Sequence, residues 1–176
     1  MFTRILVPTD FSEPSEAALK YARTVATKFG GTLHLLHVIE DPYRAAYAAA
    51  EVFVPELDGL REELLADATA RMKSSLSASD VSTLGATAEA LIGTPAWTIA
   101  EYAKGRDIDL IVMGTHGRGG VSHLLMGSVA EKVVRSASCP VLTTRGGEMA
   151  AHDLPAHEEA VEVPPSMRVT STADRC

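Results

Sequence analysis

The chain has 176 residues, of which 46% are hydrophobic and only 5% aromatic, so it suits one domain with an aliphatic core. Sixteen Lys and Arg against 23 Asp and Glu give a formal charge of −7. This balance argues against nucleic acids and anionic membranes as partners, since both require basic surfaces. The charge is uneven, because residues 146–176 contain 2 basic and 6 acidic residues and carry more than half of the net charge.

The start of the chain shows neither a secretory signal nor a membrane segment. The apolar run Ile5–Val7 is too short for a signal peptide, and no stretch approaches the ~18 residues of a membrane span. The two cysteines, Cys139 and Cys176, are too few for a disulfide framework. These features predict a cytoplasmic protein that does not associate with membranes.

Short apolar runs alternate with helical patterns along residues 1–145. Strands are predicted over 3–9, 32–39, 83–90, 108–114 and 139–144, and helices over 13–29, 56–77, 95–105 and 128–137. The runs Ile5–Val7 and Leu110–Met113 are continuous rather than alternating, which is typical of strands buried on both faces of a parallel sheet. Strands alternating with helices predict a layered α/β fold with right-handed crossovers.

Several single residues have interpretations of their own. Ser128 and Glu131 have the spacing of a capping box, which predicts the start of the helix over 128–137. Trp97 and the free thiol of Cys139 are interpreted as buried packing groups. His34 and His37 alternate on one predicted strand, and two such histidines do not predict a metal site.

The helical and strand periodicity ends after Arg145. Residues 146–176 contain three prolines and few large apolar residues, which is typical of a disordered segment. We therefore predict one domain over residues 1–145, followed by a disordered acidic tail over residues 146–176.

The segment that follows the strand over 108–114 is rich in glycine and leads to Gly127-Ser128 at the start of a predicted helix. Four glycines lie within the seven residues of GTHGRGG. Glycine lets backbone N–H groups approach a ligand closely, and a helix N-terminus attracts anions. The segment is therefore either a phosphate cradle or a flexible connection. It is neither a P-loop, since no Lys follows Gly127, nor a dinucleotide fingerprint, since Ser122 stands where the third glycine should be.

A second candidate is Pro8-Thr9-Asp10 at the carboxyl end of the first predicted strand. Open α/β sheets bind ligands at this edge, and an acid there can bind a ribose hydroxyl or a metal ion. Alternatively, Asp10 or Ser12 only caps the helix that follows. The two interpretations are compatible, since one residue can both cap the helix and contact a ligand.

These features resemble the universal stress protein family over residues 1–145. The resemblance rests on the opening RILVPTDFSEPSEAALKYA and on the spacing Gly114-x2-Gly117-x9-Gly127-Ser128, followed by SCPVLTTR. The pattern G-x2-G-x9-G-[S/T] is the signature of the family's ATP-binding branch. The resemblance implies a Rossmann-like, three-layer α/β sandwich with a five-stranded parallel sheet in the order 3-2-1-4-5, and ATP as the ligand.

The resemblance also implies which residues contact each part of the nucleotide. The adenosine would be lined by Pro8, Thr9, Asp10 and the backbone of Val38, with Asp10 near the ribose. The ribose and the α- and β-phosphates would be approached by Met113, Gly114, His116 and Gly117. The β- and γ-phosphates would be held by Gly127, Ser128 and Val129. Arg118 is placed to add charge, although a long Arg in a glycine loop is more often solvated.

Two functions fit these residues. A binding module, in which ATP alters dimer or partner contacts, is favoured over a slow ATPase or phosphotransfer protein using Mg²⁺ or Mn²⁺. Efficient phosphoryl transfer needs a charge clamp and a positioned nucleophile, and Asp10 and His116 are the only candidate bases. We therefore predict no catalytic residue.

Two other α/β classes are disfavoured. A response-regulator receiver needs a phosphoacceptor Asp after the third strand and a Lys after the fifth, but the fifth ends in Thr143-Thr144. A PP-loop ligase needs a glycine-rich turn after the first strand, which here reads PTDFS.

The last predicted strand lies at the edge of the sheet, and exposed edges favour pairing with another chain. Universal stress proteins usually dimerise through this strand. The resemblance therefore implies a homodimer whose interface consists of Val141, Leu142, Thr143 and Thr144.

Overall fold

A computed structural model describes residues 2–41, 58–115 and 126–145. In these segments the strands are β1 (Arg4–Pro8), β2 (Thr32–Ile39), β3 (Thr87–Ile92), β4 (Leu110–Gly114) and β5 (Val141–Thr144). The helices are α1 (Glu13–Phe29), α2 (Asp58–Ser75), α3 (Ala78–Leu84), α4 (Pro95–Gly105) and α5 (Ser128–Ser136). The strands form one parallel sheet in the order β3-β2-β1-β4-β5, which confirms the predicted α/β fold and strand order.

The sheet is covered by helices on both faces, and each face has its own apolar cluster. Helices α1, α2 and α3 pack on the face that carries Ile5 and Val7, whereas α4 and α5 pack on the face that carries Leu6 and Ile111. All four of these side chains are fully buried. The central strands are apolar at consecutive positions because both of their faces are covered.

The boundaries of α3 and β3 differ from the sequence prediction. Residues 83 and 84, predicted to open a strand, instead close the short helix α3. Ser77 and Asp80 form a capping box that starts this helix: the Ser77 hydroxyl accepts the Asp80 N–H (3.1 Å), and the Asp80 carboxylate accepts the Ser77 N–H (2.7 Å). Gly85 then ends α3 at φ +54°, a conformation that glycine adopts without strain.

A buried ion pair joins α1 to the start of α3. Arg23 donates from Nε to Asp80 Oδ1 (3.0 Å) and from Nη2 to Asp80 Oδ2 (2.8 Å). The Asp80 side chain is 5% exposed and that of Arg23 is 31% exposed. Burial raises the pKa of the Asp80 carboxyl, but hydrogen bonds from Arg23 and Ser77 outweigh it and hold this pKa below its usual range. The carboxylate therefore stays charged inside the fold and stabilises it.

The prediction that Trp97 is buried is wrong. Helix α4 turns Ala96, Thr98 and Ile99 inward, which leaves Trp97 66% exposed on its outer face. Cys139 is half-buried rather than buried, and this partial burial raises the pKa of its thiol. The thiol is therefore protonated at neutral pH and is a poor nucleophile.

Across residues 2–41, 58–115 and 126–145, no helix is long and apolar enough to cross a membrane. The predicted acidic tail over residues 146–176 lies outside the described residues.

Candidate functional site

The candidate site lies at the carboxyl edge of the sheet, where β1 and β4 are neighbours. The chain leaves β1 for α1 on one face of the sheet and leaves β4 for α5 on the other face. Because these two connections diverge, a crevice opens between the strand ends, at the position where open α/β sheets bind ligands.

The residues that follow β1 form a tight turn held by their own side chains. Thr9 Oγ1 accepts the Phe11 N–H (3.0 Å) and pairs with the Ser15 hydroxyl (3.1 Å). Asp10 Oδ1 accepts both the N–H (3.1 Å) and the hydroxyl of Ser12, the N-cap residue of α1. The Asp10 carboxylate thus holds the turn that leads into α1 and lies at the rim of the crevice. The capping interpretation is wrong, because Ser12 is the N-cap residue but its side chain makes no capping hydrogen bond to this helix.

Phe11 has a φ of +63°, a left-handed conformation that costs about 1–2 kcal/mol for a residue with a side chain. Its ring contacts two side chains: the His37 ring lies 4.6 Å away between centroids, and the Arg71 guanidinium carbon lies over the ring, 4.1 Å from its centroid. These contacts from β2 and α2 hold the turn in its strained conformation. Sequence reasoning missed all three residues, because their contacts join parts of the chain far apart in sequence.

The backbone of Val38 faces the crevice. Strand β1 ends at Pro8, opposite Leu36, whereas β2 continues alongside β3 to Ile39. The Leu36 carbonyl accepts the Thr9 N–H (2.8 Å), and the Ile39 carbonyl accepts the Gly93 N–H on the other side (2.9 Å). Because backbone groups alternate in direction along a strand, the Val38 N–H and C=O point into the space beyond the end of β1.

Met113 and Gly114 end β4, and both have structural roles that the sequence analysis did not predict. Met113 is buried in the cluster under α4 and α5. A side chain at Gly114 would lie 2.8 Å from the Pro14 Cβ and 2.9 Å from the Pro14 carbonyl carbon. A glycine is therefore required here for α1 to pack against β4, whether or not a ligand is bound.

We expect Gly114→Ala to lower the free energy of unfolding by about 1–3 kcal/mol, because backbone atoms of α1 would have to move to admit the methyl group. Urea denaturation would measure this loss. Gly59→Ala is the matched control, since an added Cβ at that position of α2 meets no atom of the described residues within 4 Å. Equal stabilities of the two variants would contradict the packing role of Gly114.

Helix α5 begins next to the end of β4 and is fixed there by its first residues. The Gly127 N–H donates to the Thr115 carbonyl (2.6 Å), and the Thr115 N–H donates to the Thr144 carbonyl of β5 (2.8 Å). The first intrahelical bond runs from the Glu131 N–H to the Gly127 carbonyl (2.9 Å). The N–H groups of the first three helical residues, Ser128, Val129 and Ala130, therefore have no acceptor within the helix.

The capping box predicted for Ser128 and Glu131 is wrong. Gly127 is the N-cap residue, and Glu131 pairs instead with Arg135 one turn later (3.0 Å). Ser128 is the first helical residue and is exposed, so its hydroxyl is not used to cap the helix.

The structure thus brings most of the predicted site residues to one edge of the sheet. The described ones are Pro8, Thr9, Asp10, Val38, Met113, Gly114, Gly127, Ser128 and Val129. The predicted contacts from His116, Gly117 and Arg118 lie outside the described residues. Within the described part of the chain, no three His, Cys, Asp or Glu side chains cluster as metal ligands do.

The predicted dimer residues form β5 at an edge of the sheet. Val141 to Thr144 pair with Ile111 to Gly114 of β4. Leu142 is 41% exposed, whereas Thr144 is buried and donates to the Pro14 carbonyl (3.4 Å). No other described strand pairs with the outer side of β5.

Comparison with known proteins identifies the family. The family model of the universal stress protein family matches residues 1–145. The chain belongs to this family. A universal stress protein of Methanocaldococcus jannaschii is 33% identical over 147 residues, which cover 82% of this chain and 83% of that relative.

Solved structures of universal stress proteins have the same fold. A protein of Methanocaldococcus jannaschii aligns with a TM-score of 0.69 at 29% identity, covering 84% of this chain and 99% of that chain. UspA from Lactobacillus plantarum aligns with a TM-score of 0.67 at 32% identity, covering 82% and 98%. More distant universal stress proteins have been solved in complex with cAMP (TM-score 0.54, 23% identity, covering 83% and 98%) and with dAMP (0.51, 22%, 81% and 98%).

Proposed function

We propose that this universal stress protein binds ATP in the crevice between β1 and β4 and acts as a nucleotide-dependent stress-response module in the cytoplasm. The observation that carries the proposal is the start of α5. Three N–H groups without helical acceptors lie beside the end of β4, and the resemblance carried by the spacing Gly114-x2-Gly117-x9-Gly127-Ser128 implies that phosphates bind there.

The phosphate contacts would come from backbone groups rather than from basic side chains. The N–H groups of Ser128 and Val129 and the exposed Ser128 hydroxyl are placed to donate to the β- and γ-phosphates, aided by the helix dipole. Because the Gly127 N–H is already bonded to the Thr115 carbonyl, Gly127 would act by fixing the helix start. Backbone donors explain how a chain of net charge −7 could hold a polyphosphate.

The adenosine contacts would come from the ends of β1 and β2. The N1/N6 edge of adenine presents one acceptor and one donor, which matches the N–H and C=O of Val38. Thr9 and Asp10 at the end of β1 would then lie beside the ribose, and buried Pro8 would form the floor. The complexes of distant universal stress proteins with cAMP and dAMP support an adenine nucleotide as the ligand.

A divalent ion would accompany the nucleotide rather than occupy a site of its own. Mg²⁺ and Mn²⁺ are commonly held by substrate phosphates plus one or two carboxylates. Asp10 fits this role as a partly buried carboxylate at the rim of the crevice. The ion would neutralise phosphate charge, while the protein supplies the backbone donors.

We favour binding over turnover because no Lys follows Gly127 as a charge clamp, and Asp10 and His116 are the only candidate bases. Extraction of the purified protein and chromatography of the extract should yield an adenine nucleotide, and calorimetric titration should show ATP binding. Ser128→Ala should weaken this binding by about 0.5–1.5 kcal/mol, the contribution of one neutral hydrogen bond. Sustained ATP hydrolysis that Asp10→Ala abolishes would instead favour a slow ATPase, and absence of ATP binding would refute the proposal.

We also propose that residues 1–145 act as one domain, with residues 146–176 as a separate tail, and that the protein forms a homodimer through β5. The support is the edge position of β5 and the exposed Leu142 side chain. Light scattering at micromolar concentration should give twice the chain mass of 18.7 kDa, and Leu142→Lys should lower it. A monomer at that concentration would contradict the interface.

A further inference from the structure

The ladder of backbone hydrogen bonds between β1 and β2 stops two bonds earlier than its register would allow. The Thr9 N–H already donates to the Leu36 carbonyl, which continues the parallel pattern beyond Pro8. In a regular parallel ladder, the next bond would run from the Val38 N–H to the Thr9 carbonyl, and the one after it from the Phe11 N–H to the Val38 carbonyl. Neither bond forms among the described residues.

Two side chains take the places of these missing bonds. The His37 ring lies with Nδ1 2.6 Å from the Thr9 carbonyl oxygen. Because a carbonyl oxygen only accepts, Nδ1 carries the proton in this contact. The Phe11 N–H donates instead to Thr9 Oγ1 (3.0 Å). Both groups that would pair with Val38 therefore already bond to side chains, and the N–H and C=O of Val38 stay directed at the crevice.

Contact with the Phe11 ring holds the His37 ring in this position. The His37 ring lies 4.6 Å from the Phe11 ring between centroids, tilted by 43°, and Arg71 covers the Phe11 ring from α2 at 4.1 Å. The left-handed φ of Phe11 turns the chain away from β2 immediately after Asp10. The left-handed turn at Phe11 and the His37 ring therefore act together to end the ladder at Thr9.

We propose that His37 is a positioning residue for the nucleotide: by donating to the Thr9 carbonyl it stops the ladder and keeps the Val38 N–H and C=O available to the adenine edge. This inference rests on the proposed ATP site for its ligand, but its first step concerns the chain alone. Without the Nδ1–H donor, the Val38 N–H would pair with the Thr9 carbonyl and β1 would extend towards Asp10.

Two substitutions separate the donor from the ring. His37→Phe keeps an aromatic ring beside Phe11 and removes the donor, whereas His37→Asn places an amide N–H at the position of Nδ1 and removes the ring. Hydrogen exchange by NMR tests the ladder without any nucleotide. We expect the Val38 amide to exchange about tenfold more slowly in His37→Phe than in the wild type and in His37→Asn. Unchanged exchange in His37→Phe would overturn the inference.

Nucleotide binding tests the consequence. ATP and ITP differ only at C6 and N1 of the base: ATP presents the N6 amino donor and the N1 acceptor, whereas ITP presents the O6 acceptor and the N1–H donor. His37→Phe should weaken ATP binding about three- to tenfold and lower the preference for ATP over ITP. His37→Asn should keep the wild-type affinity for ATP and the wild-type preference for ATP over ITP. A loss of ATP affinity in His37→Asn as large as that in His37→Phe would refute the donor role, because Asn keeps the N–H donor.

The outcomes distinguish this inference from the proposed function. If the wild type binds no ATP but the Val38 amide exchanges more slowly in His37→Phe as expected, the proposed ATP site is wrong and the role of His37 in ending the ladder stands. If the wild type binds ATP and His37→Phe alters neither the exchange nor the base preference, the role of His37 is refuted. Urea denaturation of each variant verifies that the fold is retained.

Discussion

Replacing Gly127 by Asp should reduce ATP affinity by at least about 100-fold. The new carboxylate would stand at the N-cap of α5, beside the N–H groups proposed to hold the phosphates. Two like charges 4 Å apart repel by about 4 kcal/mol at the effective dielectric constant of a protein surface, which corresponds to more than two orders of magnitude in affinity. Calorimetric titration with ATP would measure the loss.

The fold itself should tolerate this substitution. Gly127 has φ −72° and ψ 156°, an extended conformation open to any residue, and Asp is a favourable N-cap. Gly127→Asn is the matched control, because it has the shape of Asp without the charge and should retain most of the affinity. Retained ATP binding in Gly127→Asp would show that the phosphates do not lie at this helix start.

Removing the guanidinium of Arg23 should strongly destabilise the fold at a position outside the candidate site. Arg23→Met leaves the Asp80 carboxylate buried without its main partner, and breaking a buried pair in this way costs about 2–4 kcal/mol here, since Arg23 is itself partly exposed. Asp80→Asn in the Arg23→Met background should restore part of the loss, because it removes the buried charge. Urea denaturation of the single and double variants would measure each step.

An exposed ion pair provides the control. Arg4 and Asp107 lie 3.4 Å apart with side chains 44% and 78% exposed, so Arg4→Met should cost less than about 1 kcal/mol. Equal losses in Arg23→Met and Arg4→Met would contradict the importance of burial.

The contribution of Asp80 should also depend on pH. Its pKa in the folded protein lies below the usual value of 3.8, so the stabilisation is fully present above that value and is lost as the pH falls through the lower, folded-state pKa. Arg23→Met removes the Arg23 hydrogen bonds and charge that lower this pKa, so the carboxyl should protonate at a higher pH than in the wild type. The stability difference between the two proteins should therefore shrink between pH 7 and pH 3, and a constant difference would exclude Asp80 as its source.

Local signals predicted the sheet well and the connections less well. The continuous apolar runs of β1 and β4 identified strands covered on both faces, and the covered faces are those of Ile5 and Leu6 on opposite sides. Helix α3 was missed although Ser77, Asp80 and Gly85 are ordinary start and stop signals, because the longer helical stripe that precedes them was extended to residue 77. Trp97 was misplaced because a large apolar side chain is only on average buried, and α4 turns its other residues inward.

The candidate site, too, was only partly predictable from the sequence. The glycine spacing indicated a phosphate site, but it did not reveal that Gly114 is required by its contact with Pro14, nor that the Gly127 N–H is used by Thr115. Both contacts join residues far apart in sequence or across the glycine-rich segment, and no periodicity encodes them.

By itself, the sequence determined the α/β class, its two-sided sheet and the residues that end β1 and begin α5, because apolar periodicity and glycine spacing are local properties of the chain. Only the tertiary structure decided which backbone groups face the crevice. The Val38 N–H and C=O are left to the crevice because His37 and Thr9 occupy the atoms with which they would otherwise pair. Hydrogen bonding in a parallel ladder depends on the register between two strands and on the side chains that interrupt it, and these are set by packing in three dimensions.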